Sequence, residues 1–161
     1  MDRDSKKKEA LSQGPGFIYG LNSSPDGKRI CYHKDYQAIC LADADGRNVR
    51  RVADDHPFQF APTWSPDGQW VAYLSSEQYN RHVYLVRAGG TGLRKVGDRG
   101  GSRGVYETFD EPDFHSERSD IPIWSPDGKW LCHSGSHVLP RSAGHPVRAG
   151  YRTWLIPCGI V

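Results

Sequence analysis

Runs of alternating apolar and polar residues, separated by turn residues, make up most of this chain. The clearest runs follow a tetrapeptide, Ser-Pro-Asp-Gly, that occurs at residues 24–27, 65–68 and 125–128. In the run behind the first copy, Ile30 and Tyr32 alternate with residues that point to the opposite side. A period of two predicts a β-strand, and a turn that recurs with a similar strand behind it indicates a repeat protein.

Each tetrapeptide has the residue types that a tight hairpin turn needs. Proline fixes φ at the second position, aspartate is tolerated at the third, and glycine adopts the left-handed conformation that closes the turn. We therefore interpret these residues as turn formers and not as catalytic groups: Pro25, Asp26, Gly27, Pro66, Asp67, Gly68, Pro126, Asp127 and Gly128.

The spacing of the turns divides the chain into repeats. The first two turns are 41 residues apart, and each of their repeats contains four predicted strands, which is typical of a β-propeller blade. The third turn follows after 60 residues, so an insertion precedes it. The predicted boundaries are a polar tail or last strand of a preceding blade at 1–15, blade 1 at 16–54, blade 2 at 55–97, an inserted loop at 98–119, and a partial blade 3 with an irregular tail at 120–161.

The end of the third repeat has two interpretations. Residues 153–159 can be aligned with residues 83–89 of the second repeat, which predicts a third strand. The long stretch before them equally allows an unrelated tail.

An aromatic residue, the Ser-Pro-Asp-Gly turn and a strand of Lys-x-apolar-x-aromatic type resemble the TolB-like, WD-repeat-like β-propeller family. Residues 16–133 carry the resemblance, although Ser23 stands where the later copies have Trp64 and Trp124. The resemblance implies an all-β fold with blades of four antiparallel strands, two complete and a partial third. Family propellers close rings of more blades, so we expect a fragment of a longer propeller, with self-association into a ring as the alternative.

The same repeat occurs in a periplasmic protein that docks lipoprotein partners, in the propeller domains of prolyl peptidases and in oligogalacturonate lyase-like enzymes. The fold alone therefore does not decide the function. We favour a non-catalytic module that binds a protein or peptide partner. The alternative is a fragment of a propeller enzyme that acts on a polysaccharide or a peptide.

In a propeller, the Ser-Pro-Asp-Gly turns lie on one face of the disc. The loops between second and third strands, and the links between blades, lie on the other. This second surface, called here the loop-rich face, gathers residues 33–37, 75–82, 98–119 and those from 134 onward. Its candidate partner-binding or ligand-binding residues are Asp110, Asp113, His115, Arg118, His33 and His82.

The insertion allows two interpretations, a ligand-binding or metal-binding loop and a solvated loop without a binding role. Asp110, Asp113 and His115 supply oxygen and nitrogen donors for a ligand or metal loop. Their irregular spacing matches no metal motif, and a solvated loop held by Phe109 and Phe114 explains the same residues. We predict no metal site, no cofactor and no catalytic residue, since the sequence also lacks a nucleophile elbow.

Composition narrows the range of partners. The 161 residues include 21 basic and 19 acidic side chains, so the net charge of +2 gives no reason to expect nucleic acid or an anionic membrane. No apolar run approaches the roughly 18 residues of a membrane-spanning helix. With no apolar leader the sequence as written predicts a cytoplasmic protein. The family resemblance implies a periplasmic one if the true N-terminus lies upstream. Cys31 and Cys132 occupy equivalent repeat positions, which predicts buried thiols instead of a disulfide or a metal site.

Overall fold

The alternating strands and recurring turns build three antiparallel β-sheets, one for each repeat. The computed structural model describes residues 15–54, 59–77, 80–97, 121–138 and 149–158. Within these ranges the chain contains strands and turns but no helix, and so no helix suited to crossing a bilayer. The predicted all-β fold with antiparallel blades is confirmed.

The strands of each blade pair in chain order. Blade 1 consists of β1 (Ile18–Ser23), β2 (Arg29–Lys34), β3 (Ala38–Asp43) and β4 (Arg50–Ala53). Blade 2 consists of β5 (Gln59–Trp64), β6 (Trp70–Glu77), β7 (Asn80–Arg87) and β8 (Arg94–Gly97). Blade 3 consists of β9 (Ile123–Trp124), β10 (Trp130–Val138) and β11 (Ala149–Pro157).

The pairing register repeats between blades. The first residue of the strand behind each turn lies opposite the last residue of the next strand, in the pairs Arg29–Asp43, Trp70–Arg87 and Trp130–Pro157. Residues 153–157 therefore belong to a third strand of blade 3, in the alignment with residues 83–87 that the sequence suggested.

Most of the core lies between blades. Cys31 and Leu41 of blade 1 pack with Val71 and Tyr73 of blade 2 in one buried cluster. The opposite side of blade 2 packs against blade 3 in a second cluster, which includes Trp70, Leu74, Leu85, Leu131 and Cys158. Because successive residues of β6 point to opposite sides, this one strand contributes to both clusters. Full burial of one large apolar side chain is worth roughly 1.5–3 kcal/mol, so contacts between blades carry much of the stability.

A third cluster covers the side of blade 1 that faces away from blade 2. Its members are Ile30, Tyr32, Ala38, Cys40 and Ala42, each at most 5% exposed.

Hydrogen bonds between blades recur at equivalent positions. Arg50 of β4 donates from Nη2 to the carbonyl of Ala88 at 2.5 Å, and Arg94 of β8 donates in the same way to Cys158. Basic residues on an exposed outer strand commonly discourage edge-to-edge aggregation. For these two arginines the structure shows a different role, since each joins its blade to the next.

The tryptophan before the second and third turns also joins two blades. Trp64 donates its indole N–H to the carbonyl of Asn22 at 3.3 Å, and Trp124 donates to the carbonyl of Thr63 at 3.3 Å. Both acceptors lie on the first strand of the preceding blade. Ser23, which replaces the tryptophan in blade 1, has no indole N–H to make this bond.

Candidate functional site on the loop-rich face

The three Ser-Pro-Asp-Gly turns share one geometry. Their glycines, Gly27, Gly68 and Gly128, have φ values of 68°, 68° and 71°. Asp26 Oδ1 accepts a hydrogen bond from Ser24 Oγ at 2.5 Å and another from the Lys28 N–H at 3.1 Å. These bonds use the carboxylate to close the turn, as do the matching bonds of Asp67 and Asp127.

The turn bonds also affect two aspartates electrostatically. The Ser24 hydroxyl and then the Lys28 N–H lower the pKa of Asp26 below its ordinary value of 3.8. Ser125 and Lys129 lower the pKa of Asp127 in the same way. Both carboxylates are therefore ionised at neutral pH, which does not suit them to act as general acids.

Two of the six candidate residues fall within the described ranges. His33 and His82 are only 6% and 5% exposed, so neither presents its ring fully to a partner. The sequence placed His33 in a loop, whereas the structure places it inside β2. The other four candidates, Asp110, Asp113, His115 and Arg118, lie outside the described residues.

His82 lies in a buried polar row at the loop-rich end of blade 2. It pairs with Ser75 of β6, which pairs with Gln59 of β5. Ser75 and Gln59 are fully buried. Since Ser75 follows Tyr73 by two positions, the row points toward blade 1. The Gln59 N–H donates to the carbonyl of Tyr36 at 2.7 Å, which ties this row to the loop between β2 and β3.

His33 belongs to a stack of aromatic rings at the loop-rich end of blade 1. The centroids of Phe17 and Tyr19 are 6.1 Å apart, and those of Tyr19 and Tyr36 are 6.0 Å apart. The His33 ring lies 5.7 Å from Tyr19 and 4.9 Å from Tyr36. Phe17 is 67% exposed and Tyr19 48%, so the stack runs from a buried histidine to the surface. We call Phe17, Tyr19 and Tyr36 the aromatic platform.

The backbone around the aromatic platform is held by specific bonds. Asp35 Oδ1 accepts from the Phe17 N–H at 2.6 Å, and the Asp35 N–H donates to the Phe17 carbonyl at 2.9 Å. Asp35 and Tyr36 both have left-handed φ values, 53° and 56°. Non-glycine residues adopt this region at a cost, so the surrounding contacts hold the loop in one conformation.

The aromatic platform was not among the candidates from sequence. A comparison of the repeats contains a partial signal, because Tyr19 and His33 of blade 1 align with Phe60 and Leu74 of blade 2. Phe60 and Leu74 pack in the cluster against blade 3, whereas Tyr19 stays half exposed. Blade 1 thus has a tyrosine and a histidine where blade 2 has two apolar core residues. The left-handed conformations at Asp35 and Tyr36 that complete the platform have no such signal.

The described residues give little support for redox or metal chemistry. Burial raises the pKa of the Cys31 thiol to about 12 and that of Cys158 to about 11, so neither is a reactive thiolate at neutral pH. Within the described ranges, none of the four cysteines forms a disulfide, and no three His, Cys, Asp or Glu side chains group as metal ligands. The geometry is suited to recognising a surface by stacking and hydrogen bonding.

Sequence comparison finds relatives that share part of the chain. The "Tol-Pal system protein TolB" of Alcanivorax borkumensis is 34% identical over 91 residues, which cover 56% of this chain and 17% of that protein. The chain therefore corresponds to a small part of this relative. No protein-family model matches the sequence.

Solved structures extend the likeness over nearly the whole fold. TolB from Acinetobacter baumannii aligns over 97% of this chain and 36% of its own, with a TM-score of 0.59 and 16% identity. A putative TolB from Agrobacterium tumefaciens aligns over 91% of this chain and 53% of its own, with a TM-score of 0.55 and 18% identity.

The fold is shared with enzymes as well. The tricorn protease aligns over 87% of this chain and 13% of its own, with a TM-score of 0.58 and 12% identity. At such identities the structural likeness shows the fold alone. Together, the TolB relatives in sequence, the TolB neighbours in structure and the three Ser-Pro-Asp-Gly blades support a TolB-like β-propeller family for this chain.

Proposed function

We propose that this chain is a non-catalytic propeller segment that binds a protein or peptide partner through its loop-rich face. The observation that carries the proposal is the aromatic platform, whose Phe17 and Tyr19 side chains are 67% and 48% exposed. Contiguous exposed aromatic side chains mark interaction sites, and tyrosine is enriched among the residues that dominate binding energy.

The rigidity of the aromatic platform supports this function. The two bonds between Phe17 and Asp35, and the bond from Gln59 to Tyr36, fix the backbone before a partner arrives. Ordering a loop or side chain on binding costs free energy, so a site that is already ordered retains more of its contact energy as affinity.

The names of the relatives suggest one partner to try. They are called Tol-Pal system proteins, which places them in a system with a Pal component. A purified Pal protein is therefore the first probe, and isothermal titration calorimetry measures its binding to the full chain. We expect measurable binding that depends on Tyr19.

A matched pair of variants locates the binding surface. Tyr19→Ala removes an exposed ring from the aromatic platform, whereas Val49→Ala trims a side chain, 55% exposed, at the other end of blade 1. We expect Tyr19→Ala to weaken binding about tenfold or more and Val49→Ala to leave it unchanged. Equal effects, with both variants folded by thermal melting, would contradict the proposal.

Exposed apolar side chains on the outer side of blade 3 support a second binding mode. Ile123 and Trp130 are 63% and 44% exposed, whereas their equivalents in blade 2, Thr63 and Trp70, are 9% and 6% exposed because blade 3 covers them. We propose that a second copy of this chain associates there. Light scattering should show a concentration-dependent dimer that Trp130→Glu abolishes. A monomer at all concentrations would exclude this mode.

A further inference from the structure

We propose that the aromatic platform recognises an arginine side chain of the partner. This inference rests on the proposed function, because it names the chemistry that the same face would bind. It follows from the ring geometry, from the contacts that the arginines of this chain make with its own tryptophans, and from the Asp35 carboxylate beside the platform.

The rings of the aromatic platform lie close to parallel. Phe17 and Tyr19 differ by 20° in plane, and Tyr19 and Tyr36 by 29°. A stack of this kind is best continued by another flat group. The guanidinium group of arginine is planar, positively charged and weakly hydrated, so it stacks on aromatic faces more readily than the ammonium of lysine.

The same chain already places arginines over tryptophan rings, both between blades and within blade 2. The guanidinium of Arg29 lies 4.7 Å from the ring centroid of Trp64 and donates to the carbonyl of Gly68 at 2.9 Å. Arg94 lies 5.1 Å from the ring of Trp70 and donates to the carbonyl of Cys158 at 2.5 Å. In both cases a stacked arginine also donates a hydrogen bond to a neighbouring oxygen.

The aromatic platform offers the corresponding acceptor. Asp35 already accepts the Phe17 N–H through Oδ1, and an ionised carboxylate accepts about four hydrogen bonds in all. It thus has capacity for a guanidinium N–H beside the ring of Phe17. This carboxylate is a negative charge beside the ring of Phe17, which favours a cationic ligand.

The test uses three synthetic pentapeptides that are identical except for a central arginine, lysine or citrulline. Citrulline keeps the planar shape of arginine without its charge, and lysine keeps the charge without the planar shape. Titration into the isotopically labelled chain, followed by nuclear magnetic resonance, should shift residues 17–20 and 35–37. We expect the arginine peptide to bind at least about threefold more tightly than either of the others.

Two variants test the parts of the proposed site. Asp35→Asn keeps an acceptor for Phe17 and tolerates the left-handed φ, so it should fold and lose the preference for arginine over citrulline. Tyr19→Ala should lose the preference for arginine over lysine. Val49→Ala should retain both preferences.

The outcomes separate this inference from the proposed function. Equal binding of the three peptides, or shifts confined to other residues, would overturn the arginine inference. If a Pal protein still binds in a Tyr19-dependent manner, the proposed function survives that result. If the arginine preference is found but Pal does not bind, the site stands and that choice of partner is wrong.

Discussion

At the scale of single residues, left-handed backbone positions fix the shape of the first strand in each complete blade. The pairing register of β1 shifts between Tyr19 and Asn22, and that of β5 shifts at the equivalent place, between Phe60 and Thr63. Gly20 has a φ of 65° inside the first of these bulges. Ala61, its equivalent, has a φ of 52°. The same bulge therefore forms with glycine in one blade and with alanine in the other.

The first prediction compares two left-handed glycines in blade 1. A Cβ at Gly20 would lie 3.1 Å from His33 Nδ1 and 3.3 Å from Pro62 Cδ, whereas a Cβ at Gly27 meets nothing within 4 Å. Gly27→Ala should cost about 1 kcal/mol of unfolding free energy from backbone strain alone. Gly20→Ala should cost roughly 2 kcal/mol, since the contacts add to the strain. Urea unfolding measures both, and equal costs would contradict the predicted crowding at His33.

The second prediction concerns the pH dependence of the turns. The pKa of Asp127 is lowered in the folded chain, so its ionised carboxylate stabilises the fold above its ordinary pKa of 3.8. That contribution is lost as the pH falls through the folded-state pKa. Asp127→Asn should therefore melt below the wild type at neutral pH. The difference should shrink as the pH falls below 3.8 and through the lowered folded-state pKa. A difference that stays constant with pH would show that the charge plays no part.

The residues of the turn could be predicted from sequence, and the histidine could not. Proline, aspartate and glycine act within four residues, so their local chemistry decides the geometry. The position of His33 depends on its pairing with Tyr19 of β1 and Ile39 of β3, which no local rule specifies. The sequence therefore predicts a loop at His33, whereas this residue lies within β2.

At the scale of whole elements, arginines on the outer strands join each blade to the next. Arg50 and Arg94 occupy equivalent positions, opposite Leu41 and Leu85. Each donates to a backbone carbonyl of the following blade. Hydrogen bonds from charged donors are among the stronger ones in proteins, so these bonds should help to fix the angle between blades.

The third prediction uses two arginines of the same blade. Arg50→Met removes the bond to Ala88, whereas Arg47→Met removes only an exposed ion pair with Asp45. We expect Arg50→Met to lower the free energy of unfolding by about 1–2 kcal/mol. Arg47→Met should change it by less than about 0.5 kcal/mol. Denaturant titration of both proteins measures the difference, and equal values would argue against a joining role for Arg50.

The order and register of the strands could be predicted from the repeated turn, because each repeat can be aligned with the others. The alignment of residues 153–157 with residues 83–87 is an example, since the pairing of Trp130 with Pro157 matches that of Trp70 with Arg87. The contacts of Arg50 and Arg94 did not follow. The sequence of an outer strand does not show whether its arginine faces solvent or contacts an adjacent blade.

At the scale of the whole molecule, the turns and the candidate binding surface lie at opposite ends of the blades. The turns are stacked along one end, where Pro25 lies near Gly68 and Pro66 near Gly128. The aromatic platform lies at the other end, between the first strand and the loop that follows β2. The molecule thus separates a structural end from an end that offers rings, a carboxylate and exposed apolar surface.

Hydrogen–deuterium exchange of the chain, with and without a bound Pal protein, tests whether a partner binds at the loop-rich face. We expect slower exchange at residues 17–20 and 35–37 in the complex. We expect no change at the turns of residues 24–29, 65–70 and 125–130. Protection at the turns, with none at the aromatic platform, would contradict the assignment of binding to the loop-rich face.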